Sequence, residues 1–222
     1  MKFLYKLLAL TGIGALWGMG NKTALAQSAQ TSHPENVRFE DKLKVFSTLG
    51  FVYDEGVVKQ DIVDTWGKER LEHITYSQLY ITLGSELHRE PWTPITNQCW
   101  YFDTEAIDGE GAYVAIIQNL ARISNGELPF ENISDVVDWD RQQASVSFDL
   151  KGDRYSWELV FDEDWVDTDL FVKIVALTRQ YNTRGRFTFY DLGGQDVVIG
   201  WATPEKLEEI NATTGLGIVW LE

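Results

Sequence analysis

The chain has one cysteine in 222 residues, Cys99, so no intramolecular disulfide can brace it and the fold has to be held by its core. Histidine is nearly as scarce. His33, His73 and His88 show no H-x-x-x-H or H-E-x-x-H spacing, and a lone cysteine makes no C-x-x-C, so zinc has no ligand set in the sequence. No metal and no cofactor is expected. Were residues 68–87 one helix, His73 and His88 would also stand about 22 Å apart along it, at 1.5 Å per residue. Five prolines and 18 glycines without a repeat exclude collagen-like and low-complexity classes. Cations are sparse, with 19 Lys and Arg against 34 Asp and Glu, a formal net charge of −15 and an isoelectric point near 4.6. Nucleic-acid binding draws much of its affinity from clustered cations that release counterions, so no nucleic-acid partner is expected.

What is present is a foldable composition. Apolar residues make up 44% of the chain and aromatic residues 13%. An acidic disordered tail lacks those residues and cannot offset its chain entropy. The one long uncharged run, Leu7 to Gly20, follows Lys2 and Lys6 and precedes Ala24-Leu25-Ala26. A basic start, an apolar centre and small residues before a cut after Ala26 are the parts of a secretory signal peptide. The run is shorter than the ~20 residues that cross a bilayer core, so no stable membrane span is expected after its removal. Residues 1–26 are therefore expected to be a signal peptide, 27–36 a flexible leader, and 37–222 a single α+β domain. The expected location is exported, periplasmic or secreted. Removal of the signal takes three lysines and no acid, which moves the net charge from −15 to −18.

Periodicity divides that domain into a helical part, 37–90, and a sheet-rich part, 97–222. Phe39, Leu43, Phe46 and Leu49 predict a helix at about 37–49. Val58, Ile62 and Trp66 predict a second helix up to Gly67, and Leu71, Ile74, Leu79 and Leu83 a third up to Gly84. Pro91 and Pro94 break regular structure. Cys99–Phe102 reads as a short strand, and Tyr113, Ile116, Ile117 and Leu120 as a helix. Ala144, Val146, Phe148 and Leu150 alternate with polar residues, and so do Tyr155, Trp157, Leu159 and Phe161 across Lys151–Arg154, the pattern of an antiparallel hairpin with one dry face. Val136–Trp139 adds a third strand. A helix at about 168–180 leads to a second hairpin, 186–192 and 195–201, turning at Gly193-Gly194. Thr203-Pro204 starts a last helix, Gly215 stops it, and 217–221 returns as a strand. The fold class expected is α+β, a mostly antiparallel sheet of hairpins with helices over one face, preceded by a small helical N-terminal region.

Gln98-Cys99-Trp100 resembles the Gln-Cys-Trp around the nucleophile of transglutaminases and, more loosely, the Cys-Trp of papain-like proteases. That resemblance implies a general-base histidine later in the chain, and no histidine follows Cys99. Cys99 is accordingly read as a buried, unreactive thiol beside core aromatics. Asp103–Gly109 has acids at alternate positions like a calcium loop, but Ile107 occupies the fifth place and glycine falls seventh rather than sixth, so the register fails.

The densest acidic run is Asp162–Asp169. Asp167 and Asp169 fit the start of the helix that follows, and Asp108 and Glu110 the start of the helix near 111. Asp162 and Asp164 have no such role and form the candidate acid pair. Most tryptophans, Trp139 among them, fall in phase with core positions. Trp92, between two prolines, and Trp165, among acids, do not. The candidate binding residues are therefore Asp162, Asp164, Trp165 and Trp92, with no catalytic residue assigned. The function expected is a non-catalytic exported binding module, inhibitor-like or immunity-like, whose acidic face engages a basic protein partner. The alternative is a carboxylate-dependent hydrolase or glycan-binding protein of the cell envelope.

Overall fold

The structure is a computed structural model that describes residues 37–222. The expected signal peptide and leader lie outside the described residues. The helical part opens with α1, Phe39–Thr48, which buries Phe39 and Phe46 and ends where Gly50 takes a positive φ of 91°. Next comes α2, Lys59–Trp66, whose first turn is held by the Asp61 carboxylate accepting from the Val58 amide at 2.8 Å. The helix expected from Leu71 to Gly84 is in fact two, α3, Lys68–Glu72, and α4, Tyr76–Gly84. The break has a chemical cause. Thr75 accepts from the Gln78 amide at 3.1 Å while the Gln78 side chain accepts from the Thr75 amide at 2.9 Å, a capping box that starts a new helix. The axial separation of His73 and His88 estimated for one helix therefore does not apply. Around the two prolines the chain forms a small antiparallel pair, β1, Glu86–Leu87, with β2, Thr93–Pro94.

A four-stranded antiparallel sheet follows, built from β3, Cys99–Asp103, β7, Arg186–Asp191, β8, Asp196–Ala202, and β9, Val219–Trp220, in the order β3-β8-β7-β9. A three-stranded meander, also antiparallel, is formed by β4, Phe130–Asp138, β5, Gln143–Leu150, and β6, Asp153–Leu159. In β5 the even residues from Ala144 to Leu150 are buried and the polar residues between them face outward, as the alternation predicts. Helices α5, Ala112–Ile123, and α6, Asp169–Gln180, close over the inner face of this meander. The last helix, α7, Pro204–Thr214, begins at Thr203, whose side chain accepts from the Lys206 amide. The class is α+β, as the sequence indicates.

The helical region packs directly on the four-stranded sheet. Successive residues of a strand point to opposite faces, and here both faces are covered. Trp100 and Phe102 of β3, Val197 and Ile199 of β8, and Phe187 and Phe189 of β7 enter one core with the meander, α5 and α6. Cys99, Val198 and Ala202 enter a second core with α1 to α4 and α7. The continuous apolar runs CWYF and VVIGWA are the sequence of strands that have no wet side.

Two glycines let α4 sit on this second face. A Cβ on Gly84 would stand 2.9 Å from the Tyr101 amide nitrogen and 3.2 Å from the Trp100 carbonyl carbon. One on Gly200 would meet the Thr188 hydroxyl at 2.7 Å and the Tyr80 hydroxyl at 2.8 Å. Tyr80 is buried in that contact, and burial drives its phenol pKa well up. Between the cores, Arg122 of α5 donates to the Thr96 carbonyl at 2.6 Å and to Asn97 at 3.2 Å, and Asn97 donates to Asp54 at 2.7 Å. Overpacking at a backbone contact costs about 1–3 kcal/mol. Gly84→Val is expected to lose that much in urea unfolding. Gly194→Ala, where a Cβ meets nothing, is expected to stay within about 1 kcal/mol of the parent chain. Equal midpoints for the two variants would refute the close-approach account.

Candidate functional site

The charge is unevenly placed along the chain. Residues 37–99 hold ten acids and seven Lys or Arg, whereas 100–169 hold seventeen acids and four. Topology then gathers many of those acids. In an up-down-up meander β4 and β6 run the same way, so their C-terminal ends share one end of the sheet. The Trp139 ring, just past β4, meets the Phe161 ring, just past β6, edge to face with centroids 5.1 Å apart. Directly beyond, Asp162 and Trp165 pair across a tight turn, the Trp165 amide donates to the Asp162 carbonyl at 3.0 Å, and Glu163 takes a positive φ of 56°.

A third segment locks on to this turn. The Ile107 amide donates to the Asp164 carbonyl and the Val166 amide to the Thr104 carbonyl, each at 2.9 Å. Segments 103–111, 135–141 and 162–169 carry twelve acids and one base, Arg141.

Part of this acidity is structural. Asp167 is buried, accepts from the Val160 amide at 2.9 Å and, as its position predicts, from the first amide of α6 at 3.1 Å. At α5 the finding differs from the sequence assignment. Asp108 and Glu110 are exposed and the first-turn amides are held instead by Asp135 of β4, whose carboxylate accepts from the Gly111 and Tyr113 amides at 2.8 and 2.9 Å. Pattern in the sequence cannot reveal a cap supplied from 22 residues away. Asp138 accepts from the Arg141 amide and side chain, and Asp103 and Glu105 share the Gln195 amide group at 3.2 and 3.0 Å. Nearby, Tyr101 donates to Asp196 at 2.6 Å; burial first, then that bond, pushes its phenol pKa up. Asp140, Asp162, Glu163 and Asp164 remain exposed at the sheet end.

Of the four candidate binding residues, the structure brings Asp162, Asp164 and Trp165 into one turn and leaves Trp92 apart. Trp92 is 58% exposed on the β1–β2 turn of the helical part, stacked on His88 with centroids 4.5 Å apart. Trp165 is half-buried. Sequence phase missed Trp139, which is 46% exposed, and its partner Phe161. The available signal was position. Trp139 follows the last paired residue of β4, where inward and outward alternation no longer governs.

Cys99 lies on the second face of β3, fully buried. Its sulfur has the Thr96 hydroxyl and the Tyr80 carbonyl at 3.9 Å each, and burial pushes the thiol up to about 12 against the smaller opposing effects of Thr96 and Arg122. His73 and His88 are exposed on the helical part. Among the described residues, no three His, Cys, Asp or Glu side chains gather as a metal site, and no helix is long and apolar enough to cross a membrane. No family model, curated protein or solved structure matches the chain.

At about pH 8, a thiol with a pKa near 12 is ionised in about one molecule in ten thousand. Cys99 in the native chain is therefore expected to react with a thiol reagent orders of magnitude more slowly than in denaturant, and fast native labelling would contradict its burial. Loss of a helix cap costs about 1–2 kcal/mol. Asp135→Ala is expected to destabilise by that amount in thermal unfolding, and Asp108→Ala by less than about 0.5 kcal/mol.

Proposed function

We propose that the chain is a non-catalytic, exported binding module that engages a basic protein partner through the acidic end of the β4-β5-β6 sheet. One observation carries this reading: exposed Asp140, Asp162, Glu163 and Asp164 directly follow, along the chain, exposed Trp139 and half-buried Phe161, whose rings pack together at this end of the sheet. An aromatic centre rimmed by one sign of charge suits a protein interface, where the ring supplies buried area and the carboxylates supply steering and orientation. A hydrolytic pair is less well supported. General acid/base catalysis needs two carboxyls in contrasting environments, and Asp162 and Asp164 both face solvent on one turn. Export rests on the opening segment of the sequence, a basic start followed by an uncharged apolar run.

A lysine-rich peptide containing aromatic residues is a suitable probe. Its affinity is expected to fall about tenfold in a variant combining Trp139→Ala, Asp162→Asn and Asp164→Asn, and to fall further as ionic strength rises. Neutralising Glu205, Glu208 and Glu209 on α7 is expected to change it by less than about twofold, since those charges lie away from the site. Equal losses from both sets would reduce the effect to net charge and overturn the reading.

A further inference from the structure

The helical part carries a feature unrelated to the acidic end. Between α1 and α2 runs a cleft of about 460 Å³, within the range of small-molecule sites. Its floor is apolar, made of Phe46, Phe51 and Leu83 with Leu43 and Tyr53 beside them, and Val52 stands 57% exposed at its edge. Lys44 and Lys59 stand at the rim. Past the Glu40–Lys59 ion pair, 3.7 Å, the groove continues into a second lobe of about 520 Å³ over Phe39, Val63 and Leu71, where Arg38 and Lys68 add cations.

The charge in this groove has the opposite sign to that of the protein. Arg38, Lys44, Lys59 and Lys68 face Glu40 and Glu72, in a chain whose formal net charge is −15. Arg38 is engaged with Asp41 at 3.1 Å and Lys59 with Glu40, while Lys44 and Lys68 have no ion-pair partner among the described residues. At physiological ionic strength screening acts over about 8 Å, so a ligand in the groove responds to these lysines far more than to the distant acids of the meander. We infer that the groove binds a free single-chain amphiphilic carboxylate, its alkyl chain on Phe46, Phe51 and Leu83 and its head group at Lys44 and Lys59. The elongated apolar floor selects the chain, and the rim lysines select the sign of the head.

The full chain can be titrated with dodecanoate and, separately, with dodecyltrimethylammonium, followed by calorimetry and amide chemical shifts. One saturable dodecanoate site is expected, with shifts centred on Leu43 and Phe51–Tyr53. Lys44→Gln combined with Lys59→Gln is expected to weaken it about tenfold, the effect of losing close charge pairs at a partly desolvated site. Both lysines are exposed, so the variant keeps its fold and its unfolding midpoint serves as the check. The inference is overturned if dodecanoate does not bind, if the cationic amphiphile binds as well, if the double variant binds unchanged, or if the shifts lie outside the groove. Preferential capture by anionic vesicles over monomeric dodecanoate would assign the surface to a membrane and overturn it equally.

Discussion

Burial of the β3-β8-β7-β9 sheet on both faces is the constraint on which the other elements depend. A strand alternates its side chains, so a sheet with two apolar faces needs two covers, and a single layer of helices leaves one face wet. Here the meander with α5 and α6 supplies one cover, and α1 to α4 with α7 the other. The second cover comes close only because Gly84 and Gly200 present no side chain where α4 crosses β3 and β8. Arg122, tied to Thr96, Asn97 and Asn119, then joins the layers at their margin with no carboxylate among the described residues within ion-pair distance. Such a group keeps its charge by hydrogen bonding to neutral oxygens, and burial lowers its pKa only from a very high starting value.

Charge is segregated on this frame. Acids accumulate in the loops of the β4-β5-β6 layer partly because turns and helix starts use carboxylates to satisfy free amides, as Asp135 and Asp167 do. The remainder stay exposed and cluster by topology, since a meander returns its first and third strands to one end. The helical cover is less acidic than the meander layer and keeps its uncommitted lysines along the α1–α2 groove. Two surfaces of opposite sign thus sit on opposite layers of one protein, separated by the doubly buried sheet.

Much of the architecture could be read from residue order. Helix α1, the β5-β6 hairpin, α6 and the Thr203-Pro204 start of α7 all follow from local rules that act over one turn or one pleat. The third predicted helix merged α3 with α4 because apolar spacing runs across the break, whereas the deciding signal was the polar Thr75-Gln78 pair. The Gly193-Gly194 turn became a four-residue loop, Leu192–Gln195, in which only Gly193 takes a positive φ. Asp162, Asp164 and Trp165 were legible as a cluster since they are neighbours in the chain. Trp139 and Phe161 were not, because their contact spans two strand ends, and Trp92 belongs to the other layer.

By itself the sequence determined most of the secondary elements, the acidic balance, the lack of a disulfide framework and the isolation of Cys99 from any later histidine. These are local or compositional properties, set by side-chain chemistry and by periods of two and 3.6 residues. Only the tertiary structure decided that the sheet has two dry faces, that Asp135 rather than Asp108 or Glu110 caps α5, that an aromatic pair sits among the acids, and that cations line an apolar groove on the opposite layer. Each of those depends on residues brought together by chain reversal, and the free energy of such a contact is set by distance and solvent exclusion, which the order of residues does not contain.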